Sequence, residues 1–300
     1  MLQGLFVYLI YFILLVYLIY KNNLLGLFKD EIITSKYYAL IFSFKALAVP
    51  TFYFVFKKLY GGIDDLDAGK FYHDAQVIHD FALKDFTFYI KLMFGFQNDL
   101  PGSYDFEYCL KNTVNWDNGT IKDYLYNDNR VLIRVHSLID FIAFNSYFAH
   151  ALISCLFSFI GLQFIYKAFK MYFKGKEILL FLILCFVPAL WFFTGGLLKE
   201  GITVFCLGAA ILQTKKWVTH KSLKNTMLLL LLVFICCLLK PYLLLFSLFG
   251  FMVFFMIEFS SKISKKIFIF CLLMFLTVVA VNFISQTFKK RTLLEAALKH

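Results

Sequence analysis

Apolar side chains fill long runs of this chain, a pattern unlike the two-residue alternation of half-buried strands or the narrow stripe of surface helices. The runs fall at residues 2–20, 37–56, 147–166, 178–196, 201–213, 226–239, 242–257 and 267–284. A helix needs ~20 apolar residues to cross ~30 Å of hydrocarbon, and lipid-exposed irregular backbone is excluded there because its polar groups stay unsatisfied. The pattern therefore predicts an all-α, polytopic transmembrane helical bundle of about eight spans. The shorter runs flank Lys199 and Lys240-Pro241, where full and re-entrant hairpins both satisfy the pattern.

Residues 131–166 as one helix would be about 54 Å long at ~1.5 Å per residue, too long for one crossing. A break near Asn145-Ser146 gives a helix over 130–144 followed by a span. In the first piece Arg130, Arg134, Ser137 and Asp140 recur at helical spacing, a polar stripe on an apolar helix of the kind that lies in the headgroup plane. Residues 70–84 are similar, with Phe71, Ala75, Ile78 and Ala82 on one face and His73, Gln76, Asp80 and Lys84 on the other. Gly61-Gly62-Ile63-Asp64-Asp65-Leu66-Asp67 reads as the loop before that helix, and 95–129 as irregular surface structure. The expected organisation is an N-terminal transmembrane hairpin (1–56), an extracytoplasmic loop with amphipathic interfacial helices (57–146), a transmembrane bundle (147–284) and a charged amphipathic tail (285–300).

Composition makes the bilayer the solvent. With 61% hydrophobic residues and 40 Phe, 300 residues have too little interior to hide the apolar surface. A net charge of +11 would suggest nucleic acid in a soluble protein, but these lysines sit between apolar runs, where they orient the chain, so no nucleic-acid partner is expected. Six of the seven cysteines lie inside apolar runs, Cys109 being the exception, which implies neither a disulfide framework nor a zinc site. The first run lacks a basic residue before it and a small-residue cleavage site after it, so it reads as a retained helix. Abundant Lys, Asn, Phe, Tyr and Ile with four Pro suggest an AT-rich bacterial genome.

Three lysine tracts set the sidedness: Lys167, Lys170, Lys174 and Lys176; Lys215, Lys216, Lys221 and Lys224; Lys262, Lys265 and Lys266. Either kind of hairpin leaves all three on one side, the cytoplasmic one by the positive-inside rule. Loop 57–136, which holds most of the 19 acidic residues, is then periplasmic or extracellular. Lys289, Lys290 and Arg291 run against this scheme if the last span crosses fully.

Asp64 and Asp65, with Asp67, Tyr72 and His73 beside them, stand where a membrane helix meets the outer water. Carboxylates there can deprotonate an acceptor hydroxyl or hold a divalent cation against a pyrophosphate leaving group. The alternative is helix N-capping, worth roughly 0.5–2 kcal/mol. His73 and His79 diverge on a helix and do not pair on one metal. Arg130, Arg134, Lys199 and Lys240 supply cations at the depth of a lipid-linked pyrophosphate, with snorkelling to the headgroups as the alternative, and Lys199-Glu200 also reads as a self-neutralised pair. Lys45 and Asp140, ionisable groups in or beside apolar runs, point weakly to function. Trp191-Phe192-Phe193 suits a sugar ring or an interfacial aromatic belt.

Two opening helices, then Gly61-Gly62 with Asp64 or Asp65 and Tyr72 near a helix start, resemble bacterial exopolysaccharide and O-antigen polymerase-like proteins and the GT-C class of polyprenol-dependent glycosyltransferases. The stretch from Pro188 to Glu200 resembles a segment of related bacterial membrane proteins. The GT-C enzymes usually have one helix before the acidic loop and an Asp-Glu pair; this chain has two helices and Asp-Asp. The resemblance implies a glycosyltransferase or polymerase using polyprenyl-phosphate-linked or polyprenyl-pyrophosphate-linked sugars, partnered by the bilayer and envelope-glycan machinery in a bacterial inner membrane. Asp64 or Asp65 would act on the acceptor hydroxyl, and Arg130, Arg134 and Lys199 on the leaving group. A lipid or glycan transporter or flippase, and a non-catalytic subunit of an envelope or secretion complex, are the alternatives.

Overall fold

The computed structural model describes residues 2–21, 24, 26–94, 111–116 and 128–240. The chain separates by its internal contacts into Met1–Leu239 and Lys240–His300, and the description that follows is of the first unit. Its elements are α1 (Leu2–Tyr20), α2 (Ser35–Ala46), α3 (Ala48–Tyr60), α4 (Asp67–Lys84), α5 (Phe86–Phe94), α6 (Asn129–Ala143), α7 (Tyr147–Phe169), α8 (Glu177–Phe186), α9 (Pro188–Phe193), α10 (Lys199–Thr219) and α11 (Leu223–Leu239). No strand occurs among the described residues, as the run lengths predict. The runs at 242–257 and 267–284, the tail, Cys109 and most of the irregular 95–129 stretch lie outside the described residues.

Among the described residues three helices are long and apolar enough to cross a bilayer: Gln3–Tyr20, Ser35–Tyr60 and Tyr147–Tyr172. The second is α2 and α3 carried through Leu47, whose backbone stays helical. Phe6, Ile10, Ile13, Leu40, Phe44 and Phe54 point outward from the first two, an apolar surface that lipid solvates and water does not. α7 is buried on nearly every side and is the central post of the bundle. Phe159 on α7 gathers Phe28, Tyr38, Phe42 and Phe181 around it. Gly161 on α7 and Gly208 on α10 let the two backbones touch, since a Cβ on Gly208 would run into the Gly161 carbonyl.

The apolar run at 178–196 is not one helix. Pro188 lacks an N–H and disfavours helical backbone in the residue before it, so Val187 turns extended (ψ 119°), α8 ends at Phe186 and the short α9 follows. Thr194-Gly195-Gly196 then turns against α3, where a Cβ on either glycine would collide with Ala48 or Phe52. The short run at 201–213 extends to the 21 residues of α10 once its polar ends are counted.

The break expected near Asn145-Ser146 is there. Phe144 and Asn145 both adopt left-handed backbone (φ 50° and 52°), and the Ser146 side chain caps α7 by accepting the Ala149 N–H. α6 presents the expected stripe, but the stripe faces inward: Ser137 and Asp140 are buried, while Leu138, Phe141 and Ile142 are exposed. The polar groups find partners on α4, α5 and α7, and the apolar face is left outside. α4 begins at Asp67 and buries Phe71, Ala75 and Ile78 as expected, with Asp74 and His79 beside them.

The bundle has two chemically different ends. At one, Lys167 donates to the Leu27 carbonyl (2.6 Å), Lys170 pairs with Asp30 (2.7 Å) and Lys215 donates to the Ala168 carbonyl (2.8 Å), so the first two lysine tracts meet. The N-termini of α1 and α7 and the C-terminus of α3 meet at the other.

Candidate functional site

A cavity of about 710 Å³ opens at the end opposite the lysines. Its polar lining is Gln3 of α1, Lys57 of α3, Gly61, Gly62 and Asp64 of the following loop, Tyr72 of α4, and Asn145 and Ser146. Val7, Tyr53, Phe144, Tyr147 and Phe148 supply the apolar part. The cavity is thus amphiphilic, bounded in part by helices long and apolar enough to cross a membrane and in part by exposed loop.

Local sequence builds each wall. Gly61 ends α3 in left-handed backbone (φ 78°), which turns the chain so that Asp64 lines the cavity. Gly69 permits α4 to start directly against that loop, because a Cβ there would strike the Ile63 carbonyl. Asp64 is exposed and lines the cavity; Asp65 and Asp67 are exposed and do not. The N-cap of α4 is Leu66 and no side chain bonds there, so the acidic cluster does not act as a side-chain cap.

Behind the opposite wall lies a buried polar network. His150 Nε2 is 2.9 Å from Asp140 Oδ1, and His150 Nδ1 is 3.2 Å from His136 Nδ1. Asp140 Oδ1 also accepts the Asn145 N–H (2.9 Å). Tyr72 donates its hydroxyl to the Asn145 carbonyl (2.6 Å) and accepts from Gln76 (2.9 Å). Burial and the nearby Asp140 carboxylate push the Tyr72 phenol up to about 12. Burial alone would raise the Asp140 carboxyl, but the His150 bond and the Asn145 N–H hold it below the usual carboxylate range.

The remaining candidates sit elsewhere. Arg130 and Arg134 place their guanidinium groups 5.3 and 5.1 Å from the Trp116 ring and donate from Nε to the Trp116 and Leu92 carbonyls (2.9 Å each). Lys199 pairs with Asp128 at 2.6 Å instead of with the half-buried Glu200. His73 is exposed, 3.4 Å from Asp74 Oδ1. Lys240 is the last of the described residues and falls in the second unit. Asp74 is buried and accepts the backbone N–H groups of Val114, Asn115 and Trp116 (2.9, 2.6 and 2.8 Å), an anion-binding nest filled by the protein's own carboxylate. Among the described residues no three His, Cys, Asp or Glu side chains are placed to hold a metal ion together.

Sequence reasoning passed over Lys57, which resembles any basic residue in a last helical turn, and the pair His136 and His150. The signal for the pair was His136 four residues before Asp140, on one face of α6.

No protein-family model matches the chain, and comparison with curated proteins and with solved structures gave no significant match.

Proposed function

We propose that the cavity binds a membrane-borne amphiphile with a charged, hydroxylated head, and that the protein is a glycosyltransferase or polymerase acting on polyprenyl-linked sugars in a bacterial envelope. The observation that supports this most is the lining itself: Asp64, Lys57 and three tyrosines beside apolar residues of crossing helices. Asp64 is the acceptor-side base, Lys57 neutralises the phosphate leaving group, and Tyr53, Tyr72 and Tyr147 offer aromatic surface to a sugar ring. With one carboxylate on the cavity among the described residues, a divalent cation would be held chiefly by the substrate's own phosphate oxygens.

By the positive-inside rule the lysine end is cytoplasmic, which puts the cavity at the outer edge of the inner membrane. With the apolar runs beyond Lys240 counted from the sequence, about eight crossings are proposed in all.

A second reading, a lipid or glycan transporter, draws on Lys45. It is fully buried where α2 meets α3 and bonds Thr194 in the turn after the broken α8–α9 pair, and ionisable groups at helix discontinuities are a mark of transporters.

Replacing Asp64→Asn and Lys57→Met singly, while following surface glycan, lipid-linked precursor and membrane abundance, tests the enzyme reading. Normal abundance with precursor accumulation and glycan reduced on the order of 10²-fold is expected for a lost general base. Unchanged glycan at normal abundance rejects it.

A further inference from the structure

The stretch of α7 from Tyr147 to Lys167 is about 30 Å long at ~1.5 Å per residue, the thickness of a bilayer's hydrocarbon. Lys167 belongs to the lysine end, so the opposite boundary of a bilayer around this helix falls at Tyr147. α1 starts at the same level, since a Cβ on Gly4 would touch the Phe148 ring at 3.2 Å. Depth along the bundle is therefore readable from these two helices.

α6 runs inward beside both. Its Ile139 and Ala143 form one apolar cluster with Ala149 and Ile153 of α7, and Val7 and Tyr11 of α1 pack against it. Ile153 lies about 9 Å beyond Tyr147, and Tyr11 about 12 Å beyond Gln3, where the apolar span of α1 begins.

The faces of α6 are turned as hydrocarbon demands. A helix in the headgroup plane keeps its polar face to water. Here His136, Ser137 and Asp140 are buried, with Ser137 bonding Tyr89 of α5 and Asp140 bonding His150 of α7, while Leu138, Phe141 and Ile142 are exposed. No ionisable side chain faces outward between Val135 and Phe144. Arg130 and Arg134, nearer the start of the helix, stay on the protein side against Trp116.

Protein also satisfies the backbone where α6 ends. The last carbonyls of a helix ordinarily go to water, whereas irregular backbone at membrane depth persists only with internal partners. Tyr11 donates its hydroxyl to the Ile142 carbonyl, Ser146 its N–H to the Ala143 carbonyl (3.1 Å), and Tyr72 its hydroxyl to the Asn145 carbonyl. The Tyr11 bond also joins the outward face of α6 to that of α1, where Ile10 and Leu14 are exposed beside Tyr11.

We propose that α6 is an intramembrane helix that descends from the Phe144–Asn145 turn into the leaflet on the cavity side, with acyl chains covering its Leu138–Phe141–Ile142 face. Lipid is the occupant because this uncharged face continues the outward surface of α1 at a depth from which water is excluded. The inference concerns depth and not chemistry, so it stands or falls apart from the substrate proposed for the cavity.

Spin labels carried on p-acetylphenylalanine in place of Leu138 or Ile142, a chemistry that leaves the native cysteines alone, test this in the full-length protein reconstituted in phospholipid vesicles. Collision with oxygen, which concentrates in hydrocarbon, is compared with collision with a water-soluble nickel chelate. The oxygen-to-nickel ratio at both positions should match that at Ile10 of α1 within about twofold and exceed that at Asp65 about tenfold. Dominant nickel collision would put the face in water, and low collision with both reagents would show that protein covers it, such as the apolar runs beyond Lys240; either result overturns the proposal. Wild type gives the answer where a label prevents folding. A phospholipid with a diazirine at the middle of one acyl chain should, on irradiation, leave adducts on 138–142 as it does on residues 6–14, and adducts on 6–14 alone overturn the proposal.

Discussion

Lys45 donates to Thr194 Oγ1 across 2.8 Å, tying the junction of α2 and α3 to the turn after α9 where neither group reaches solvent. Thr194 passes its own hydrogen to the Leu190 carbonyl at 2.7 Å. An ammonium buried this deeply is costly when an acceptor is lost and cheap to replace by an apolar chain of similar length. Thr194→Val should therefore lower stability by about 1–3 kcal/mol, and Lys45→Met by less. Thermal unfolding in detergent checks the order; a larger loss for Lys45→Met would refute the argument.

Asp74 concentrates three backbone donors of residues 114–116 on one carboxylate. Bonds to a charged acceptor contribute about 1.5–3 kcal/mol each in favourable cases, and Asp74→Ala leaves all three N–H groups without it. The variant should free this segment before it unfolds the bundle, seen as protease cleavage near Trp116 at temperatures where α7 stays protected. Equal resistance in variant and wild type would contradict the assignment.

Asp30 ties the α1–α2 connection to Lys170. Burial alone would raise its carboxyl, but the Lys170 bond and the Ile32 N–H outweigh that and hold it below the usual value of 3.8. A carboxyl depressed by folding contributes above its unfolded pKa, and the contribution is lost as pH falls through the folded value. Lys170→Met should therefore destabilise at neutral pH, by about 1 kcal/mol, and the difference from wild type should vanish under strong acid. Unfolding midpoints against pH measure this; a difference that persists in acid would show that packing, not charge, is at work.

The all-helical class, the break before Ser146 and the buried face of α4 were legible because each rests on local rules: run length, helical period and capping chemistry. The direction of α6 was not. Arg130, Arg134, Ser137 and Asp140 mark a polar stripe correctly, but whether a stripe meets headgroups or protein depends on partners distant in sequence, here Tyr89, Trp116 and His150. The separation of Arg130, Arg134 and Lys199 from Asp64 is of the same kind, since Trp116 and Asp128 engage those cations. Lys57 reaches the cavity because α3 ends where α1 and α7 begin, a fact of topology that no residue type announces.

The proposed chemistry requires Asp64 and its cavity to face away from the cytoplasm, opposite Lys167 and Lys170. Asp65→Cys, next to the cavity and exposed, reports this when a membrane-impermeant maleimide is added to intact cells producing the protein. Labelling before permeabilisation is the expected result; labelling only after the membrane is opened would put the acidic loop on the cytoplasmic side and contradict the account.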